Sequence, residues 1–231
     1  MQVLEEELHR LKATVIKMWD LVIAQLKKTH ESLITFDKDL AREVVANEKR
    51  VNALELKIDS ECENIIALFN PVAVDLRFVL AVLKINTNLE RTGDIAEGIA
   101  KLIISAESRL DEKLLEVTRV LVMYEEATEM LQDVFTAFEK EDTKLARSVF
   151  KRDEMLDEVN FKANEVIAAY IRSNPDKIEQ GLNILSTIRK LERVGDQCKN
   201  IAEEIIFYVE AKVLKHLDSK RRKNESKDEP E

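Results

Sequence analysis

An all-α fold of two tandem three-helix bundle repeats, six long antiparallel helices in all, is what this 231-residue chain predicts. Three observations carry that prediction. Apolar residues recur at spacings of three and four along nearly the whole chain and nowhere alternate as a strand would. Charged residues make up 35% and apolar residues 45%, with only four Gly and three Pro, so helix formers dominate and loops are few. The stretch "NLERTGDIAEGIA" (Asn88 to Ala100) returns as "KLERVGDQCKNIA" (Lys190 to Ala202), identical at seven of thirteen positions.

Taken in order, the first helix spans about Val3 to Leu33 and the second Leu40 to Leu68. "FNPVAVD" (Phe69 to Asp75) then breaks the chain, because the residue before a proline resists helix. The third helix continues to about Ser105, and "SRLDEK" (Ser108 to Lys113) turns it. A fourth helix reaches about Glu139; "EKEDTK" turns the chain, with Asp142 as N-cap of the fifth helix, which runs to Ile171. "RSNPDK" (Arg172 to Lys177) repeats the Asn-Pro break, and the sixth helix extends to about Lys215.

The second and fifth helices are copies as well: "DLAREVVANEKRVNALELKID" (Asp39 to Asp59) aligns with "KLARSVFKRDEMLDEVNFKAN" (Lys144 to Asn164). The division expected is residues 1–108 and 109–217 as the two repeats, with 218–231 a charged, disordered tail lacking apolar anchors. Short turns force neighbouring helices antiparallel, in an up-down-up bundle.

Composition excludes several classes. A net charge of −9 argues against nonspecific nucleic-acid binding, which needs a basic face. No apolar run approaches the roughly 20 residues of a membrane span, and the acidic, amphipathic N-terminus is not a signal peptide. Cys62 and Cys198 form no C-x-x-C and suit small core positions in a reducing cytosol. No nucleophile–base spacing or Gly-rich phosphate loop is present, so the chain reads as a non-enzyme.

The doubled motif carries the chemistry. Residues four apart share a helix face, so Glu90 and Asp94 project together, as do Glu192 and Asp196. Beside them run small-residue columns, Leu89, Gly93, Ala96, Ala100 and Leu191, Gly195, Cys198, Ala202, which let another helix approach closely. Counted outward from Pro71, Glu90 falls opposite Asn52 and Asp94 opposite Glu48. Counted from Pro175, Glu192 falls opposite Glu158 and Asp196 opposite Glu154, give or take a turn.

The facing helices carry stripes at matching spacing: Glu48, Asn52, Glu55, Asp59 and Asp153, Asp157, Asn160, Asn164. Acidic stripes facing acidic pairs repel and desolvate expensively, so something positive belongs between them. Arg91 and Arg193 point away. The expected metal ligands are Glu48, Glu55, Asp59, Glu90, Asp94, Asp153, Asp157, Glu192 and Asp196, with Asn52, Asn160 and Asn164 as further candidates. Oxygen-only ligands suit hard cations, and His9, His30 and His216 lie outside the motifs. The plain alternative is a solvated acidic face on a duplicated bundle.

At these residues the sequence resembles the PhoU family of bacterial phosphate-signalling proteins. The resemblance rests on the doubled Leu-Glu-Arg-x-Gly-Asp (Leu89 to Asp94, Leu191 to Asp196), on "PVAVDLR" (Pro71 to Arg77), and on the pairs Glu55/Asp59 and Asp153/Asp157, in order up to about Tyr208. It implies a cytoplasmic, metal-binding negative regulator of phosphate uptake and phosphate-starvation signalling, with iron foremost and zinc as an alternative; the oxygen-only ligands themselves add manganese or magnesium. The partners the resemblance implies are the phosphate ABC transporter's ATPase subunit and a sensor histidine kinase; a homodimer is a separate expectation. One departure stands out: Asn160 and Asn164 occupy the places of Glu55 and Asp59, which leaves the second site poorer in carboxylates.

Two other functions compete. A carboxylate-bridged di-iron enzyme or iron store would need paired Glu-x-x-His motifs; only Glu6 to His9 has that spacing, without a repeat counterpart. A metal-free helical scaffold is the other.

Overall fold

The computed structural model describes residues 2–214. Among them are seven α-helices: α1 (Gln2–Thr35), α2 (Lys38–Phe69), α3 (Ala73–Ser105), α4 (Glu112–Thr118), α5 (Val120–Lys140), α6 (Thr143–Ser173) and α7 (Ile178–Glu210). The all-α duplicated bundle is therefore as predicted, with one break more. The expected tail at 218–231, and His216, lie outside the described residues.

The added break splits the predicted fourth helix at Arg119, which takes the left-handed conformation at φ 55°. No Gly or Pro marks it. The hydroxyl of Thr118 donates to the Leu114 carbonyl at 2.7 Å, a back-bond that bends helices. The predicted last helix overshoots: α7 stops at Glu210, where Ala211 turns left-handed and its N–H closes on the Phe207 carbonyl.

Aspartates set the helix starts. Asp37 accepts from the N–H groups of Asp39 and Leu40, Asp111 from Lys113 and Leu114, and Asp142 from Lys144 and Leu145. The two Asn-Pro turns diverge. Asn70 is left-handed (φ 45°), whereas Asn174 is not (φ −139°, ψ 69°) and leads into a short 3-10 turn at Pro175–Lys177.

In the first half α1 packs on α2 and α3; in the second, α5 packs on α6 and α7. The halves join where α3 lies against α7 and α1 against α5. Between α3 and α7, Lys84 pairs with Glu204 at 3.0 Å and Asn200 donates to Asn88 at 3.3 Å. At the far end Lys190 folds over Gly98, where a Cβ would come 2.7 Å from its Nζ. These pairs share one antiparallel register, and that register sets Gly93 level with Gly195. The Gly98–Lys190 contact is the duplicate of the Asn88–Asn200 pair: Asn88 and Lys190 are equivalent positions, as are Gly98 and Asn200.

The core between α1 and α5 is anchored by Trp19, fully buried against Phe135 and Phe138. Its indole N–H donates to the Leu131 carbonyl at 3.3 Å, which satisfies the one polar atom the ring buries. Cys62 and Cys198 are buried and free. Among the described residues no helix is long and apolar enough to cross a membrane.

Candidate metal centre

The glycine of each motif brings a helix against an acid. In the first half Gly93 on α3 lies under Glu48 on α2: a Cβ there would stand 3.2 Å from Val51 Cγ1 and 3.3 Å from Glu48 Oε2. Glu48 and Asp94 are thus at one level, as turn counting predicts. In the second half the fit is tighter. A Cβ on Gly195 would come 2.4 Å from Asp153 Oδ1 and 2.8 Å from Leu156 Cδ2. The register differs by one residue from the expected one, so Asp153 and not Glu154 meets Asp196; Glu154 is exposed. Glu158 is also exposed and pairs with Lys162 at 2.6 Å.

In the first half Glu48 is buried, at 5% exposure. Its Oε2 accepts from Gln25 Nε2 at 3.2 Å, while Oε1 is buried without a hydrogen-bond partner. Burial pushes its carboxyl from 4.5 up to about 7; the Gln25 hydrogen bond opposes this, and Asp94, Glu97 and Glu90 reinforce it. Burial likewise raises Glu55, helped by Asp59 and Asp94, and raises Glu90, helped by Asp94 and Glu55. Each of these carboxylates is held up by desolvation and then by the others, the pattern of an uncompensated acidic cluster. Asp59 is occupied differently, accepting from Asn86 Nδ2 at 2.9 Å. Asn52 and Asp94 are exposed.

The second half contains a cation that the sequence reading overlooked. Lys199 lies on α7 one turn beyond Asp196. Its Nζ pairs with Asp153 across the helix interface and with Asp196 Oδ1 at 2.9 Å. Burial pushes the Asp153 carboxyl up to about 6, and Lys199 draws it back down. Desolvation opposes the charge on Lys199, but Asp153 and Asp196 outweigh it and hold the ammonium above the ordinary lysine range. Glu192 is raised by burial, then by Asp196, Asp157 and Asp153. Asp157 is exposed, Asn160 half-buried, and Asn164 accepts from Arg189 Nη2 at 3.2 Å.

The clue was in the motif alignment: Lys199 is the counterpart of Glu97. In the first half Glu97 adds negative charge beside Glu48 and pairs outward with Lys101 at 2.6 Å. Arg91 and Arg193 are both exposed, in keeping with their expected direction away from the clusters.

Among the described residues no three His, Cys, Asp or Glu side chains converge as they stand on one point that would hold an ion. The donors of the first half are nonetheless all oxygens, with one buried and unpartnered at Glu48 Oε1, a set that suits a hard cation. The donors of the second half do not fit one, because an ammonium already occupies the gap between Asp153 and Asp196. Glu6 and His9, the lone Glu-x-x-His, are exposed on α1, outside both clusters.

The PhoU domain family model matches this chain twice, at residues 15–103 and 120–205. The chain is 34% identical to the phosphate-specific transport system accessory protein PhoU homolog 1 of Thermotoga maritima, over 92% of this chain and 91% of that one. It is 32% identical to the phosphate-specific transport system accessory protein PhoU of Escherichia coli, over 91% of this chain and 87% of that one. Its fold superposes on the crystal structure of PhoU from Pseudomonas aeruginosa with a TM-score of 0.81 at 32% identity, covering 90% of this chain and 99% of the other. The phosphate transport system regulatory protein PhoU from Streptococcus pneumoniae gives a TM-score of 0.79 at 28% identity, over 91% and 99%. With its bundle doubled and the family model matched in both halves, this chain belongs to the PhoU family.

Proposed function

We propose that the chain is a cytoplasmic, non-enzymatic accessory regulator of a phosphate ABC transporter, restraining phosphate uptake and starvation signalling. It does so as an adaptor between the transporter's ATPase subunit and a sensor histidine kinase. The observation that carries this reading is the likeness to phosphate-specific transport accessory proteins along nearly the full length of both chains. The strongly charged outer faces are the expected contact surfaces, and contacts there weaken with salt.

A metal ion, iron foremost, is part of the proposal for the first half. Glu48, Glu55, Glu90 and Asp94 would hold it. When bound, the ion would offset the mutual repulsion of these carboxylates. Its role would be structural, pinning α3 to α2 and so fixing the surface a partner grips. The close approach of the helices at Gly93 favours this over direct coordination of a partner group.

The test is binding of the transporter's ATPase subunit to wild type and to Glu90→Gln/Asp94→Asn, with helicity and melting followed in parallel. Lost binding with lost stability is the expected result. Lost binding with an equally stable fold would assign the ion a direct contact instead. No binding by the wild type at all would overturn the adaptor role.

A further inference from the structure

We infer that the duplicated clusters have parted in their cation chemistry: the Lys199 ammonium is the built-in counter-ion of the second half, and an added metal ion binds the first half alone. The metal clause rests on the reading proposed above; the lysine clause stands on geometry by itself.

Four observations support it. Lys199 pairs with Asp153 from the facing helix and with Asp196 of its own motif, so it sits where an ion bridging α6 and α7 would sit. The other carboxylate oxygen of Asp153 is buried without a hydrogen-bond partner, but it lies directly over Gly195, where even a Cβ would collide with it. The same stripe carries two carboxylates where that of the first half carries three, and Asn164, in the place of Asp59, is engaged by Arg189. In the first half the equivalent of Lys199 is Glu97, whose lysine partner Lys101 lies a turn further from the cluster. The i,i+4 pair of the first half, Glu97 then Lys101, reads Lys199 then Glu203 in the second. One exchange of order therefore places a negative charge beside the cluster in one half and a positive charge within it in the other.

The energetic consequence is direct. A divalent cation entering the second half must displace an ammonium that already makes two ion pairs, and must leave that ammonium half-buried without them. Among the described residues no such competitor stands between the carboxylates of the first half. Breaking a pair that is largely shielded from water leaves an uncompensated charge, which costs far more than losing an exposed pair.

The experiment uses the full chain, stripped of metal, titrated with Mn²⁺ alone and then Fe²⁺ alone, with metal content by elemental analysis and melting temperature as readouts. Wild type and Glu192→Gln/Asp196→Asn should take up the same amount of metal, and Glu90→Gln/Asp94→Asn should take up none. Lys199→Met should lower the metal-free melting temperature by roughly 5–10 °C. Lys199→Glu, which restores the charge order of the first half, should melt lower still without metal and gain a second metal-dependent rise. A double-mutant cycle of Asp153→Asn with Lys199→Met in metal-free protein should show strong coupling.

Loss of metal in Glu192→Gln/Asp196→Asn, with the fold intact, would overturn the inference. So would additive effects in the cycle. If wild type takes up no metal, the metal reading of the first half fails, and the cycle alone then decides for or against Lys199 as the counter-ion.

Discussion

The place where a Cβ would stand on Gly195 is 2.4 Å from Oδ1 of Asp153, closer than real atoms approach. Gly195→Ala must therefore displace Asp153 from its pairing with Lys199, or push α6 off α7. Alanine's better helix propensity returns about 1 kcal/mol, while overpacking costs about 1–3 kcal/mol or more. A net loss of about 1–2 kcal/mol is expected by urea unfolding, toward the upper end of that difference because the clash is severe. Gly93→Ala meets only Val51 and Glu48, at 3.2 and 3.3 Å. Its net cost should stay under about 1 kcal/mol. Equal losses at the two glycines would show that the tighter fit at Gly195 has no energetic weight.

The metal-free protein should lose stability as pH rises through neutrality. Burial, with Asp94, Glu97 and Glu90 around it and only the Gln25 hydrogen bond opposing, lifts Glu48 from 4.5 to about 7. A carboxyl raised in the folded state favours its protonated form, so its contribution is full below about pH 4.5 and lost as pH climbs through about 7. Asp153, raised to about 6, acts in the same direction. The opposite trend from carboxyls held low, such as Asp111 beside Lys177, falls below this window; His30, held low by burial, opposes it in part within the window. Denaturant unfolding should give a free energy lower at about pH 8 than at about pH 5 by up to about 3 kcal/mol. A free energy rising over that interval would contradict the uncompensated state of Glu48.

Replacing that charge should help the metal-free chain. Glu48→Gln keeps the shape and can still accept from Gln25, yet carries no buried charge. It should be more stable than wild type by about 1–2 kcal/mol near pH 8. The same change should abolish the metal-induced rise in melting temperature. A variant less stable than wild type under these conditions would mean that the carboxylate has a favourable partner at this site.

Chelation should lower the melting temperature of protein purified with its metal, and adding the ion back should restore it, as binding to the folded state alone requires. Because ligands bind as carboxylates, the rise on adding metal should grow with pH, opposite in sign to the metal-free trend. Differential scanning fluorimetry at two pH values checks both. A melting curve unchanged by verified metal removal would sink the metal reading.

Trp19→Phe removes the indole N–H that reaches the Leu131 carbonyl and leaves a void beside Phe135 and Phe138. A loss of about 2 kcal/mol is expected, combining a hydrogen bond and a partial cavity. Thermal melting measures it; a change within about 0.5 kcal/mol would mean that the pocket refills.

The helices and their turns were legible because periodicity and the Asn-Pro pairs act locally. The level of Asp94 with Glu48 was legible too, since an antiparallel hairpin fixes level from the turn outward. What failed was finer than a turn. Counting from Pro175 selected Glu154, because the 3-10 turn at Pro175–Lys177 shifts the register that the left-handed Asn70 sets in the first half. The break at Arg119 has no Gly or Pro to announce it. Lys199 aligns with Glu97, the one position of the repeated motif whose charge reverses, and identity between the repeats carries no signal there.

The antiparallel seam of α3 and α7, with Trp19 of α1 bonded to α5, leaves neither half a surface of its own on that side. Heat should therefore melt the duplicated chain as a single cooperative unit, its calorimetric and van't Hoff enthalpies agreeing. An ion held at Glu48 would then protect amides of α6 and α7 from exchange as well as those of α2 and α3. Such communication from one copy to the other requires no moving part, only a shared unfolding equilibrium.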